Sequence, residues 1–167
     1  MKKYLVLIFT LLLLCGCAVS FKFNGASIDY TKTRTISILE FPNHAELVNP
    51  NLSSSFSELL RDQFSRQTRL ELVPRDGDLH IEGEITGYQV QSMAISADSY
   101  AAQTKLTLTI KVRFSNKSNP EDDFEKSYSA YQTFDSNQML TDVQDELCQI
   151  MSKEIAENIY NDTVAKW

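Results

Sequence analysis

The chain has 167 residues, of which 43% are hydrophobic and 23% charged, and its formal net charge at neutral pH is −6. This length suits one domain with its own core. The nine Phe and seven Tyr exclude an intrinsically disordered chain, and the odd count of three Cys excludes a disulfide-stapled scaffold. An acidic chain with only two histidines, His44 and His80, fits neither a non-specific nucleic-acid binder nor a His-rich metal protein.

The N-terminus has the pattern of a secretory signal. Lys2 and Lys3 precede an apolar run over residues 4–14, which ends in Cys15-Gly16-Cys17. The run is shorter than the roughly 20 apolar residues that span a membrane. We therefore predict a signal peptide over residues 1–16.

The end of this segment, Leu14-Cys15-Gly16-Cys17, resembles a bacterial lipobox. That resemblance implies that Cys17 receives a diacylglycerol group and becomes the acylated N-terminus, anchored by two or three acyl chains. Cys15 fits less well because it follows Leu14 rather than a small residue. A plain secretory signal that contains cysteine is the alternative.

Processing would remove two lysines and no acidic residue, which changes the net charge to −8. Cys148 would then be the only thiol besides Cys17, so it has no partner for an internal disulfide. We predict that it is buried and inert.

Regular patterning begins after a short tether over residues 17–34. Residues 35–41 alternate as a strand, and Asn49-Pro50 has the form of a helix start. Apolar residues then recur at helical spacing, and serines and charged residues, Ser57 among them, fall on the other side. The apolar stripe consists of Leu52, Phe56, Leu59, Leu60 and Phe64.

The second half of the chain contains the clearest alternation. A short strand over residues 70–73 precedes an alternating segment at 79–86, where Gly87-Tyr88 shifts the phase and predicts a bulge. Further strands are predicted at 105–114 and 124–134, and a long helix starts at Leu140. The domain over residues 35–167 is therefore predicted as an α+β two-layer sandwich.

This sandwich has a mainly antiparallel sheet of about four strands packed against two helices, in the order β-α-β-β-β-α. A fifth strand is added if residues 70–73 pair separately. The strands over 79–86 and 105–114 can bury their apolar residues on one side if Ile85 lies opposite Ile110. The same register places Glu84 opposite Lys111 and Glu82 opposite Arg113.

No catalytic or cofactor-binding motif is found in the sequence, so we expect a protein that is not an enzyme and that needs no cofactor or metal. His44 and His80 fall at predicted surface positions. Residues 121–123 are three consecutive acidic residues without the ligand spacing of a calcium loop, and a solvated turn is the favoured interpretation.

The lipobox and the element order together resemble the LptE family of lipopolysaccharide-assembly lipoproteins. The resemblance extends over nearly all of the mature chain. None of its motifs is a catalytic signature, so the match rests on a long pattern that is specific in sum and weak in each part. Its segments include Phe21-Lys22-Phe23-Asn24-Gly25, Ile38-Leu39-Glu40-Phe41-Pro42-Asn43, Leu59-Leu60-Arg61-Asp62-Gln63-Phe64, Gly83-Glu84-Ile85-Thr86-Gly87-Tyr88 and the ending Ile159-Tyr160-Asn161-Asp162 with Trp167.

The resemblance implies a two-layer domain tethered to the periplasmic side of the outer membrane of a Gram-negative bacterium. There it would act as the plug and assembly partner of an LptD-type β-barrel and would contact lipopolysaccharide. Cations would have to meet the phosphates of that ligand, and the candidates in the sequence are Lys105, Lys111, Arg113 and Lys126.

Three alternatives stay open. In the first, the cationic face is a solvated surface without a ligand. In the second, the protein is an envelope lipoprotein that assists another secretion or outer-membrane complex. A periplasmic hydrolase is the least favoured, because it would need a catalytic base in a cleft.

Overall fold

A computed structural model describes residues 28–47, 49–93 and 102–165 of the chain. The described residues form seven principal elements and one short 3₁₀ turn, Pro120–Asp122. In chain order the elements are β1 (Thr35–Ile38), α1 (Leu52–Gln67), β2 (Glu71–Leu72), β3 (Leu79–Ser92), β4 (Gln103–Asn116), β5 (Phe124–Asp135) and α2 (Leu140–Thr163).

The strands form one mixed sheet in the order β2-β1-β3-β4-β5. Strand β1 lies parallel to both β2 and β3, whereas β3, β4 and β5 form an antiparallel meander. The parallel pairs follow from helix α1, since a helical crossover returns the chain to the same end of the sheet. The α+β two-layer architecture is confirmed, and the fifth strand arises because residues 71–72 pair separately with β1.

The long hairpin has the predicted register. Ile85 faces Ile110 and Gly83 faces Val112, and the register shifts between Ile85 and Gly87, where the bulge was expected. The bulge absorbs one residue. Beyond it Tyr88 faces Leu108 and is buried, so the apolar face of the hairpin continues past the irregularity.

The core lies on one side of the sheet, under both helices. Phe41 and Phe56 meet edge to face with their ring centroids 5.0 Å apart, and both side chains are fully buried. The even-numbered apolar residues of β4 from Leu106 to Phe114 face this layer and are also buried. In the part of the chain that the structure describes, no helix covers the other face of the sheet.

Two features of the helices differ in detail from the sequence pattern. Helix α1 begins at Leu52, and Asn49 instead accepts a hydrogen bond from the backbone N–H of Asn51 through Oδ1 at 3.1 Å. Ser57 is fully buried rather than on the solvent side, because its hydroxyl accepts a hydrogen bond from the N–H of Phe41 at 3.0 Å. Helix α2 begins at Leu140, as predicted.

Candidate functional site

The uncovered face of the sheet carries the charged and polar side chains of three neighbouring strands. Odd-numbered residues of β4 point to this face because their even-numbered neighbours face the core. Two parts can be distinguished along the strands, a charged cluster near one end and a hydroxyl-rich part around Tyr131. The charged cluster consists of Glu82, Glu84, Lys111, Arg113 and Glu125.

Glu125 is the centre of the charged cluster. Arg113 donates to it through Nη2 at 2.8 Å, and Lys111 forms a salt bridge with its other carboxylate oxygen. Arg113 also donates to Glu82 through Nη1 at 3.2 Å. Hydrogen bonds from Lys111 and Arg113 lower the pKa of Glu125, and the bond to Glu125 raises the pKa of Arg113. Both cations are therefore neutralised within the sheet.

One of the two predicted ion pairs forms and the other does not. Arg113 pairs with Glu82, which lies directly opposite it. Lys111 also lies opposite Glu84, as expected, but its ammonium group bonds to Glu125 on β5. The carboxylate of Glu84 lies 3.9 Å from Nε2 of His44 instead.

A cleft of about 330 Å³ lies against this cluster, and the loop after β1 forms its other wall. Gly83 lines it, and a side chain there would collide with the carbonyl oxygen of Lys111 and come within 2.6 Å of the Phe41 ring. The packing of the Phe41 loop against β3 and β4 therefore requires glycine at this position. Its remaining walls combine Leu39 and Pro42 with charged side chains, so an occupant would meet both signs of charge.

Lys105 lies in the hydroxyl-rich part of the face. Its ammonium group lies 5.6 Å from the centroid of the Tyr131 ring, on the neighbouring strand. Tyr131 is 62% exposed, the most exposed aromatic side chain among the large hydrophobic residues of the described chain. Thr109 and Ser129 share a hydrogen bond of 3.1 Å next to this pair. This part of the face can offer hydroxyl groups, a ring and one cation to a ligand.

The fourth predicted cation, Lys126, lies on the opposite side of the sheet. It faces Val112, whose side chain is in the core layer, and its ammonium group bonds to Asp162 of α2 at 2.6 Å. Tyr128 donates to the same carboxylate at 2.8 Å, and burial of this tyrosine raises its pKa. The structure thus brings Lys105, Lys111 and Arg113 to one face and leaves Lys126 out of it.

His80 takes part in an arrangement that resembles a hydrolase triad. Its Nδ1 lies 2.7 Å from Oγ of Ser37, and its Nε2 lies 3.5 Å from Oε2 of Glu82. Ser37, however, is fully buried, and its hydroxyl oxygen also accepts a hydrogen bond from the N–H of Gly77. A hydroxyl without exposed surface has no access to a substrate. The hydrogen bond from Gly77 to Ser37 instead holds the 75–78 turn against β1. His44 is largely exposed, with 62% of its side chain accessible.

The acidic turn after β4 uses its carboxylates internally. Asp123 accepts a hydrogen bond from the backbone N–H of Asn116 at 2.7 Å, and Asp122 accepts from the side-chain amides of Asn116 and Asn119. No group of three or more potential metal ligands was found among the described residues. The turn is thus held by its own hydrogen bonds.

Cys148 is buried between α2 and the sheet, as predicted. Its thiol lies 3.6 Å from the hydroxyl of Tyr88 and 3.8 Å from Nδ2 of Asn49. Burial raises the pKa of this thiol, which keeps it protonated and weakly nucleophilic. It borders a groove of about 540 Å³ between the two helices, where Glu58, Asp62 and Asp145 also lie.

Cys17 and the predicted signal peptide lie outside the described residues. Within the described ranges, none of the helices combines the length and the hydropathy needed to cross a bilayer.

Comparison with protein families gives one match to a family model. The model for LptE, described as lipopolysaccharide-assembly, matches residues 33–163, which extend from just before β1 to the last residue of α2. No match was found among curated proteins.

The solved structures that match this chain are distant in sequence. A minor lipoprotein from Acinetobacter baumannii is 12% identical, with a TM-score of 0.49 over 76% of this chain and 89% of that chain. The PelC dodecamer from Paraburkholderia phytofirmans is 8% identical, with a TM-score of 0.48 over 80% and 91%. The rare lipoprotein B from Shewanella oneidensis is 7% identical, with a TM-score of 0.43 over 77% and 90%.

Proposed function

Since the chain belongs to the LptE family of lipopolysaccharide-assembly proteins, we propose that it is the lipoprotein plug and assembly partner of an LptD-type β-barrel in the outer membrane. In this role it helps to transport and insert lipopolysaccharide and catalyses no reaction. The observation that carries the proposal is the family match over residues 33–163.

The open face of the sheet supports a position inside a barrel. The interior of a large outer-membrane barrel is polar and hydrated. A plug therefore needs a rigid scaffold with a polar, hydrogen-bonding exterior. The meander of β3, β4 and β5 is such a scaffold, because its core face is held by both helices while its other face presents Thr, Ser, Gln and paired charges.

We assign the lipopolysaccharide contacts to the cations of the open face. Lys105, Lys111 and Arg113 lie in one row along β4, and such cations form strong hydrogen bonds with phosphate groups. Lys111 and Arg113 would have to exchange Glu125 for the ligand, whereas the ammonium group of Lys105 lies near the Tyr131 ring and forms no salt bridge with a described residue. Lys126 could contribute only at a separate point on the helix side.

The anchor completes the proposal. Residues 1–16 form the lipoprotein signal peptide, Cys17 carries the acyl chains, and residues 17–34 tether the 35–167 domain to the periplasmic side of the outer membrane. Two or more acyl chains provide a stable anchor, where one chain would give only marginal binding.

Co-purification from native membranes tests this function. A C-terminally tagged, full-length protein should recover a large, heat-modifiable β-barrel in equal amount when outer membranes are solubilised in mild detergent. A Leu108→Asp variant is the control, because burial of an unpaired charge should disrupt the fold and abolish recovery. Recovery of the lipoprotein alone, or with unrelated envelope proteins, would contradict the barrel partnership and favour a role in another envelope complex.

A further inference from the structure

Among the described residues, no strand pairs with the outer edge of β5, which is twelve residues long. Strand β5 is the last strand of the order β2-β1-β3-β4-β5, whereas the strand at the opposite edge, β2, has only two residues. An unpaired edge is a template for another strand, and proteins usually protect it by shortness, charge, proline or a bulge. The β2 edge is short, and the β5 edge is long.

The hydrogen bonds define which backbone groups of β5 point outward. The N–H of Ser136 donates to the carbonyl oxygen of Ala102 at 3.0 Å, in line with the register that pairs Asp135 with Gln103. Inward and outward residues alternate in an antiparallel pair. Even-numbered residues of β5 therefore bond to β4, and the N–H and C=O groups of odd-numbered residues point away from the sheet.

Four of these odd-numbered residues form a continuous outward row, Ser127, Ser129, Tyr131 and Thr133. Among the described residues, none forms a hydrogen bond with the backbone N–H or C=O groups of these four. Their side chains lie on the open face of the sheet and are exposed. A strand added here would find both its backbone partners and its side-chain neighbours accessible.

The usual protection of an edge strand is missing in the middle of β5. The residues from Ser127 to Phe134 include no charge and no proline, and the β4–β5 register has no shift. Glu125 and Lys126 precede this stretch, but Lys111 and Arg113 neutralise the first, and Asp162 pairs with the second. The edge is thus electrically neutral and rich in Ser, Thr and Tyr, of which Thr and Tyr favour strand pairing.

We propose that the β5 edge binds an extended segment of the barrel partner, which adds to this sheet as a sixth strand. This inference rests on the proposed function for the identity of the partner. The alternating backbone groups define an extended peptide as the occupant, because only a strand matches them at successive odd-numbered positions.

A second copy of this chain fits the edge poorly. Helix α2 lies above β5, where Asp162 bonds to both Lys126 and Tyr128. Two chains joined through β5 would bring two α2 helices side by side, and each carries six carboxylate residues and one lysine. Like charges so placed repel one another. The same acidity favours a partner segment with Lys or Arg on the helix side and uncharged residues on the open face.

Proline substitution separates edge pairing from folding. In Ser129→Pro the lost N–H is an outward one, so the hydrogen bonds between β4 and β5 remain, and an edge strand tolerates proline. Ser129→Ala is the matched control, because it removes the hydroxyl that bonds to Thr109 and to the carbonyl of Leu108 but keeps the N–H. Each full-length variant is co-expressed with the barrel, and circular dichroism verifies its fold.

We expect Ser129→Pro to lower the amount of co-purified barrel at least tenfold, and Ser129→Ala to change it less than twofold. Hydrogen exchange of the wild-type protein provides a measurement that does not depend on the variants. In the complex, the amides of Ser127, Ser129, Tyr131 and Thr133 should exchange at least tenfold more slowly than in the isolated lipoprotein.

The outcomes distinguish this inference from the function on which it rests. Normal barrel recovery with a folded Ser129→Pro variant, or unchanged exchange at the four amides in the complex, would overturn edge pairing and leave the partnership intact. Failure of the wild-type protein to recover the barrel would overturn both. Slower exchange in a homodimer without barrel would assign the edge to a second copy instead.

Discussion

Carboxylates on the open face control how much positive charge the sheet presents to an anionic ligand. Glu125 receives hydrogen bonds from both Lys111 and Arg113, so a single acidic residue holds two of the three cations on β4. The salt bridges are exposed, and such pairs contribute little to stability. If the proposed lipopolysaccharide site is right, their main effect is to compete with the ligand for the same donors.

Glu125→Gln should therefore strengthen the binding of lipopolysaccharide severalfold, because it removes the negative charge that neutralises Lys111 and Arg113. The measurement is binding of the purified protein to vesicles that contain lipopolysaccharide, at low and at moderate salt. The difference between variant and wild type should shrink as salt is added. Since hydrogen bonds from both cations lower the pKa of Glu125, mild acidification should leave this carboxylate ionised, and only the substitution removes its charge.

Glu84→Gln is the matched control for this experiment. It makes the same change in net charge on the same face, but Glu84 contacts His44 rather than either cation. If both variants raise binding equally, the effect comes from overall charge. If Glu125→Gln leaves binding unchanged, Lys111 and Arg113 do not form a phosphate site, and the row functions as a solvated surface.

Gly83→Ala should destabilise the domain by about 1 to 3 kcal/mol, the usual range for overpacking. The new methyl group would collide with the carbonyl of Lys111 and lie 2.6 Å from Cε1 of Phe41. Gly87→Ala is the control, since its nearest neighbour would be Cβ of Thr109 at 3.1 Å. Urea denaturation of both variants measures the difference. Equal stabilities would show that Phe41 and the backbone at Lys111 both shift at little cost.

At the scale of elements, the alternation of apolar and polar residues is sufficient to predict most of the sheet. The apolar residues of β3 and β4 allow one register in which both strands bury them, and the phase shift at Gly87-Tyr88 marks the bulge. The helices follow from their apolar spacing in the same way. The separate pairing of β2 does not follow from the sequence, because so short a strand has too few residues to show an alternating pattern.

The candidate site was only partly predictable, for two different reasons. The sequence is sufficient to place Lys126 on the helix side of the sheet. Tyr128, Ala130 and Phe134 are apolar and buried, so the even-numbered residues of β5 face the core layer. The sequence does not determine the pairing of Lys111, because Glu84 and Glu125 lie on either side of it and alternation does not rank them. Ion pairs on an open face depend on small differences in side-chain reach, which a pattern of residue types does not contain.

Ser57 shows a similar limit within helix α1. Its place opposite the apolar stripe predicts an exposed side chain, yet the loop after β1 crosses it, and the N–H of Phe41 donates to its hydroxyl at 3.0 Å. Ser57→Ala should cost about 1 to 3 kcal/mol, because a buried N–H loses its acceptor. Thermal unfolding tests this, with the exposed Ser65→Ala on the same helix as the control. Equal melting temperatures would mean that water or another acceptor replaces the hydroxyl.

At the scale of the whole molecule, both helices protect one face of the sheet, and no other described element covers the opposite face or the β5 edge. This arrangement suits a domain that binds a partner through its open face and edge, provided that the domain is held close to that partner. The proposed lipid anchor at Cys17, which lies outside the described residues, would hold the domain there.

Cys17→Ala should abolish acylation, because the resemblance to a lipobox implies that the modified thiol is the one at residue 17. The variant should fail to incorporate labelled palmitate and should retain its signal peptide, while the wild-type protein becomes labelled and partitions with the membrane. Cys15→Ala is the matched control and should be labelled normally, since residue 15 belongs to the proposed signal peptide. Labelling that persists in Cys17→Ala and disappears in Cys15→Ala would move the anchor to residue 15. Loss of label without any loss of barrel recovery would show that the 35–167 domain finds its partner without help from the membrane.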